Sequence, residues 1–306
     1  ARGRALPQYS DLPLPVIWHE SYEVDIGPHV FATRKYRLVR DRLIAAGTIR
    51  PEPATDADVA LIHTPAYLAK ITTGALTLED QMLLEVPFSP ALREAAWRCA
   101  SGSALAGRLA GERRIAVHLG GGFHHAFPDH GEGFCLINDV AIAIRMLQRD
   151  GVMRRALVID CDVHHGNGTA AIFAADPDVF TLSMHQERNY PAWKPPSDLD
   201  LGLEDGTGDE EYLDLLRRHL PESVGRHRPE LVFYLAGADP YADDQLGGLA
   251  LTREGLRARD ELVFEVLGRA GVPVAVTLAG GYARNPDDTV EIHCGTVRAA
   301  ARARTA

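Results

Sequence analysis

The run Asp160-Cys161-Asp162-Val163-His164-His165-Gly166-Asn167-Gly168 places two carboxylates and an imidazole at alternate positions. In an extended chain the side chains of residues 160, 162 and 164 project to one side. A mixed oxygen and nitrogen donor set of that kind suits a catalytic divalent cation. Three protein ligands on Zn²⁺ leave one position open for water. The plainer alternative is that Asp and His at such a place cap a helix and satisfy a turn. Gly166 and Gly168 allow a tight turn into the next helix. Asp239, before Pro240, would supply a third metal ligand if it met this segment; by itself an Asp-Pro pair more often opens a turn. His124 and His125 follow three glycines, which let backbone approach a ligand closely, and histidine is the usual acid or base near neutral pH. Either histidine could instead simply bond to backbone. Tyr282, after Gly280-Gly281, is a loop aromatic or a phenol aimed at a developing oxyanion.

These residues share one kind of position. Apolar runs at Ile115–Leu119, Ala156–Ile159, Val179–Met184, Leu231–Ala236 and Val274–Ala279 each end in one of the polar clusters. Their Val, Ile, Leu and Phe content with little alternation predicts strands buried on both faces. Helix-like segments at 137–149, 168–175, 209–219, 253–270 and 286–303 alternate with them, which predicts an open parallel sheet flanked by helices on both faces. Ligands bind such sheets beyond the carboxyl ends of the strands, and five strands here deliver polar residues to that edge. The first third is less regular: a helix from Arg34 towards Ile44, a strand at Asp58–His63 and a long helix at Pro90–Leu109. A loop of about 22 residues, punctuated by Pro195-Pro196 and Gly202–Gly208, comes after the strand at 179–184; loops that long are usually functional. With no internal repeat and no dividing linker, residues 1–306 read as one α/β domain.

Composition narrows the class. Hydrophobic residues make up 46% and charged residues 24% of the 306, as in ordinary globular chains. A formal net charge of −10 argues against a nucleic-acid partner, and no apolar stretch nears the ~20 residues of a membrane span. The start, Ala1-Arg2-Gly3-Arg4, carries no secretory pattern. Cys99, Cys135, Cys161 and Cys294 form no CxxC pair and read as buried thiols of a reducing compartment, so the cytoplasm is the expected location. Lysine occurs only at positions 35, 70 and 194. His63, His118, His185, His219, His227 and His293 read as structural or surface residues, and the acidic run Glu204–Glu211 as a solvated loop and helix start. His19, His29 and His130 fall in loops where a rim role is open to them.

Four motifs, GGGFHHAFPDHGEGFCLINDVAIA, VIDCDVHHGNGTAAIF, AGADPYADDQLGGLALT and LAGGYA, occur in an order that resembles the histone deacetylase family, over about residues 16–298. The wording HHGNG, DDQLGGL and AGGY is closest to its class IV branch and bacterial relatives. The resemblance implies an arginase-like deacetylase fold and a zinc-dependent amidohydrolase that removes acetyl or longer acyl groups from lysine side chains. Under it, Asp162, His164 and Asp239 match the zinc ligands. His124 and His125 match the paired histidines, the second as general base, and Tyr282 the phenol that polarises the carbonyl. Asp160 matches the carboxylate behind the first histidine. Ser183, with main-chain oxygens of Asp160, Asp162, His164 and Met184, completes a structural potassium site. Gly133, Phe134, Tyr190 and Gly281 fall at the acyl-lysine tunnel, Phe134 and Tyr190 as its walls. Two departures stand out: Asn167 replaces the Asp that several branches carry behind the second histidine, and the rim aspartate that grips peptide backbone in some members has no match. The substrate is an acyl-lysine protein or a small N-acyl amine such as an acetylpolyamine. A silent acyl-ligand binding protein and a dimanganese arginase-type hydrolase are the rivals. A homo-oligomer is left open.

Overall fold

The computed structural model describes residues 12–44 and 47–305; the Ala1–Arg4 start lies outside them. Seven parallel strands form one sheet: β1 Val16–Ile17, β2 Ile115–His118, β3 Ala156–Asp160, β4 Val179–Gln186, β5 Leu199–Leu203, β6 Leu231–Leu235 and β7 Val274–Thr277. Their order across the sheet is β1-β2-β7-β6-β3-β4-β5. Alternation along each strand sends neighbours to opposite faces. Leu157 and Ile159 of β3 join one apolar cluster with Val232, Tyr234, Val274 and Val276. Ala156 and Val158 join the other, with Phe233, Leu235 and Ala275. Both faces are therefore buried, as the continuous apolar runs require.

Helices cover the two faces. On the second face lie α5 (Pro90–Arg113) and α6 (Asp139–Arg149). Ser89 caps α5 with its side chain and Pro90 takes a first-turn position, where a missing N–H costs nothing. Gly107 allows close crossing: a Cβ there would stand 2.5 Å from Leu147 Cδ1 of α6. The first face carries α8 (Asp209–His227), α9 (Arg253–Ala270) and α10 (Pro286–Thr305), whose Leu216, Val263 and Val297 enter that cluster. The remaining helices are α1 (Lys35–Leu43), α2 (Asp56–Val59), α3 (Pro65–Thr73), α4 (Leu78–Leu84) and α7 (Asn167–Phe173).

Three expectations are corrected. Asp58–His63 is no strand: Thr55 and Asp58 form a capping box that starts α2, and turns come after it. The long segment after β4 holds the edge strand β5, in which Leu199, Leu201 and Leu203 alternate and pair with β4. Helix α8 runs on through Pro221, which removes one backbone bond, because Leu220 and Val224 keep burying its apolar face. All four cysteines are free and buried, as expected.

Two of the histidines read as structural are buried and neutral. Burial pushes His118 down to about 3 and His63 down to about 4. His118 lies between Ser103 Oγ (3.0 Å) and Tyr22 Oη (2.8 Å), and His63 Nε2 accepts from the Asn138 N–H at 3.1 Å. Below an unfolded-state pKa of about 6.5 the unfolded chain takes up protons that these folded rings refuse, so stability falls as pH falls. Each ring is expected to contribute up to ~1.4 kcal/mol per pH unit between pH 6.5 and its folded value. Urea midpoints at pH 7.5, 6 and 5 should decline, and His118→Asn should flatten the decline; an equal slope in the variant contradicts this role.

Candidate active site

The register holds the strand ends level: Asp160 pairs with Leu235, and Leu235 with Thr277. The loops leaving β3, β6 and β7 must therefore meet. Asp162, His164 and Asp239 are buried there, with ligand atoms all within 4.8 Å of one another. His164 Nδ1 lies 3.0 Å from Asp162 Oδ1 and 3.5 Å from Asp239 Oδ2. Asp162 Oδ2 accepts the Gly280 N–H at 2.8 Å, and Asp239 Oδ1 accepts the Val163 N–H at 2.9 Å. Asp239 Oδ2 is buried with no hydrogen-bond partner. Glycines make room for these carboxylates: a Cβ on Gly280 would stand 2.5 Å from Asp162 Oδ2, and one on Gly237 2.8 Å from Asp239 Oδ1.

The loop after β2 brings in the histidine pair. Gly121 and Gly122 take φ of 68° and 85°, and Asp139 at the start of α6 accepts the Gly122 and Phe123 N–H groups at 3.0 and 2.7 Å. His124 Nδ1 lies 2.6 Å from Asp160 Oδ2, His125 Nδ1 lies 2.7 Å from Asn167 Oδ1, and the two Nε2 atoms are 3.1 Å apart. Burial disfavours charge on both rings. At His124, Asp160 and Asp162 outweigh it and raise the ring to about 9. At His125, burial and the charges of His124 and His164 act together and hold it neutral, well below its ordinary value. The helix α7 behind them packs so closely that a Cβ on Gly168 would stand 2.6 Å from His125 C, and one on Gly166 2.5 Å from Asp160 Oδ2. Close approach, rather than a tight turn, is what these two glycines allow.

A pocket of about 160 Å³ opens onto this floor, lined by Phe134, Tyr190, Gly133, His125, His164 and Tyr282, with Glu85, Asn189 and Leu246. Phe134 stacks on Phe31 at 6.0 Å and meets the Tyr282 ring edge-on at 6.0 Å. Tyr190 packs edge-on to His125 at 5.0 Å. Gly133, at φ 52°, has no room for a side chain: a Cβ would stand 2.7 Å from His125 Cδ2. Gly281 is placed differently from expectation, since it lines a separate cleft beside Lys35 and Thr289. Burial, then the charges of Asp162 and Asp239, push the Tyr282 phenol well above its ordinary value, so its proton stays on. Ser183 pairs with Asp160 across β3 and β4, and Ser183 Oγ lies 3.0 Å from His185 Nδ1.

Several residues that sequence reasoning passed over hold this site. Asp244 accepts the Tyr282 N–H at 2.6 Å and the Leu246 and Gly247 N–H groups at 2.8 and 3.0 Å. Lys35 is buried behind Tyr282, 5.5 Å from its ring, and donates to Ala279 O at 2.7 Å; burial lowers it to about 8 against the pull of Asp239, Asp162 and Asp244. Lysine is rare in this chain, at positions 35, 70 and 194 only, but that rarity did not mark Lys35 as part of a site. Glu85 stands at the pocket, where no rim carboxylate was expected, and its main-chain oxygen lies 3.1 Å from His29 Nε2. Glu132, inside the glycine- and histidine-rich motif after β2, meets Asn167 and Tyr190. Of the other rim histidines, His19 caps a turn and His130 stacks on Phe127. A second group, His165, His185 and Asp200, also clusters, but His165 Nε2 and Asp200 Oδ1 already pair at 3.1 Å.

An open parallel sheet that gathers a histidine pair and a carboxylate cluster at its carboxyl edge is an arrangement suited to a hydrolase. Comparison with known proteins bears this out. Residues 29–296 match the histone deacetylase domain, and the chain belongs to the histone deacetylase family. It is 42% identical over 293 residues to an uncharacterized protein of Picosynechococcus sp., covering 94% of this chain and 98% of that one. It is 31% identical to the histone deacetylase-like amidohydrolase of Pseudomonas aeruginosa, over 75% of this chain and 64% of that protein. The crystal structure of a histone deacetylase homologue complexed with SAHA matches with a TM-score of 0.78 at 25% identity, covering 94% of this chain and 84% of the other.

Proposed function

We propose that the chain is a zinc-dependent amidohydrolase that removes acetyl or longer acyl groups from lysine side chains. The observation that carries this is the buried Asp162–His164–Asp239 cluster at the floor of an aromatic-walled pocket, within reach of a neutral histidine and a protonated phenol. The cluster fits a divalent cation. Burial and the Asp162 charge push Asp239 up to about 7, and its Oδ2 has no hydrogen-bond partner. Two buried carboxylates side by side call for positive charge. One imidazole and two carboxylates are a donor set that Zn²⁺ accepts with a position to spare. Bound there, Zn²⁺ supplies a Lewis acid that polarises the amide carbonyl and makes water acidic.

The side chains do the rest. Phe134 and Tyr190 take the acyl-lysine stem between apolar rings. His125, with Nδ1–H on Asn167 Oδ1, keeps the lone pair on Nε2, which lies 3.1 Å from His124 Nε2, and takes the proton of the attacking water. The Tyr282 hydroxyl donates to the tetrahedral oxyanion. A proton held on the histidine pair, stabilised by Asp160 behind His124, passes to the leaving amine. The reading extends to a structural K⁺ at Asp160, Asp162, His164, Ser183 and Met184, supported by the Asp160–Ser183 register, and to a cytoplasmic location, supported by four free buried thiols.

A small cationic N-acyl amine is the second reading, favoured by Glu85 at the pocket. Mass spectrometry of peptides carrying acetyl to myristoyl lysine, and of acetylspermidine, with and without a hydroxamate chelator, separates the two. Chelator-sensitive turnover of acyl-lysine peptides is the expected result, and the preferred chain length reports pocket depth. Turnover of acetylspermidine alone moves the assignment to the small amine. No turnover with zinc bound overturns the enzyme reading in favour of a ligand-binding protein.

A further inference from the structure

Asn167 leaves His125 facing a neutral amide, and an amide has two ends. If its oxygen faces His125 Nδ1, that nitrogen carries the proton and Nε2 keeps the lone pair that a base needs. If its NH₂ faces Nδ1, the proton is forced to Nε2, against His124 Nε2 at 3.1 Å, and the base is lost. Something must decide which end points inward. Asn167 Nδ2 donates to Glu132 Oε1 at 2.7 Å, and Tyr190 Oη donates to the same oxygen at 2.9 Å. The other carboxylate oxygen, Oε2, lies 3.3 Å from His130 Nε2. An ionised carboxylate only accepts, so it faces the NH₂ end and turns Asn167 Oδ1 to His125.

The backbone fixes Glu132 for this task. Glu132 and Cys135 close a tight turn through Glu132 N–H to Cys135 O at 3.1 Å and Cys135 N–H to Glu132 O at 2.8 Å. Its central residues, Gly133 and Phe134, have φ of 52° and 70°. The end of α4 holds that turn, since Leu83 O and Leu84 O accept the Gly133 and Phe134 N–H groups at 3.0 and 2.9 Å. One turn thus sets the Phe134 wall, the Glu132 carboxylate and, through Tyr190, the facing wall.

We propose that Glu132 is the positioning residue that locks the Asn167 amide, and through it the Nδ1–H tautomer of His125. The proposal rests on the amidohydrolase reading for its kinetic consequence, but the tautomer itself is independent of any substrate. Burial favours a protonated Glu132, and hydrogen bonds from His130, Asn167 and Tyr190 outweigh it, so the carboxyl lies below its usual value and stays an acceptor. The negative charge that His125 lacks at position 167 is supplied one residue further out.

The experiment is a double-mutant cycle with a spectroscopic arm. Glu132→Ala in the zinc-loaded enzyme is expected to lower kcat ~10–100-fold, the usual cost of losing an outer partner, with any change in KM arising from the Tyr190 wall. In an Asn167→Asp background the inner group accepts whichever way it turns, so Glu132→Ala should cost kcat less than about threefold there. Glu132→Gln, which keeps the shape but offers both ends of an amide, should fall between. In ¹⁵N-histidine NMR spectra, His125, assigned by its absence in His125→Ala, should be the Nδ1–H tautomer in the wild type. Glu132→Ala should show the Nε2–H form as well. Equal kcat losses in the wild-type and Asn167→Asp backgrounds, or an unchanged tautomer in Glu132→Ala, would overturn the proposal. If the wild type turns over no acyl amide, the enzyme reading fails and the NMR arm alone decides the role of Glu132.

Discussion

Asp239→Asn is expected to abolish stoichiometric zinc binding and lower turnover at least ~10³-fold, beyond the ~10–100-fold typical of an outer-partner loss. The substitution keeps the volume and can keep the bond from the Val163 N–H to Oδ1, at 2.9 Å. What it removes is the charge at Oδ2, the buried oxygen without a hydrogen-bond partner. An amide there turns either a neutral oxygen or an NH₂ towards His164 Nδ1, now 3.5 Å from a carboxylate oxygen, and neither completes a two-carboxylate set. The measurement is metal content by mass spectrometry alongside thermal unfolding with and without added zinc. A ligand at a hundred times its Kd stabilises the fold that binds it by about 2.7 kcal/mol, so zinc should raise the wild-type midpoint and leave that of Asp239→Asn unmoved. A variant that still gains stability from zinc places the metal elsewhere.

Tyr282→Phe separates binding from chemistry. The ring packs between Phe134 and His164, at 6.0 and 6.3 Å, and over Lys35, so phenylalanine fits the same space. Only the hydroxyl is lost, and its proton is held in place by burial and by Asp162 and Asp239. Removing one donor to a developing oxyanion costs ~10²–10³ in kcat. Zinc content and KM should stay near wild-type values if, as proposed, the hydroxyl acts only when charge develops on the carbonyl oxygen. Full activity in Tyr282→Phe denies it that role. The supporting frame accounts for the expected lack of wider damage: Asp244 holds the Tyr282 N–H through backbone, which the substitution leaves alone.

Much of this was written locally. A run such as Ala156–Ile159, too short for a helix and bounded by turn residues, reads as an inner strand buried on two faces, and its abrupt change into Asp160, Asp162 and His164 marks the edge where a parallel sheet binds ligands. The pairing of His124 and His125 after three glycines, and of Tyr282 after two, is equally local, because close backbone approach needs glycine wherever the chain goes. Short or exposed elements were less legible. Asp58–His63 has strand-like residues, yet a side-chain cap decided its start as helix. The edge strand β5 reads as loop because only one neighbour, β4, pairs with it.

The sequence by itself determined the inner strands and most of the helices between them, the identity of the reactive groups and the edge at which they gather. Tertiary structure decided which of them touch. That Asp239 meets Asp162 depends on β6 lying beside β3, and that Gly280 meets both depends on β7 lying beside β6; strand order is set by how helices pack on the whole sheet, not by any one segment. Lys35 under Tyr282 joins positions 244 residues from its acceptor Ala279, and Glu132 reaches Asn167 across 35 residues. Such contacts leave no local pattern, since a single charged residue looks the same in sequence whether solvent or a buried partner will satisfy it. Only the folded chain, by removing water, makes the choice of partner visible.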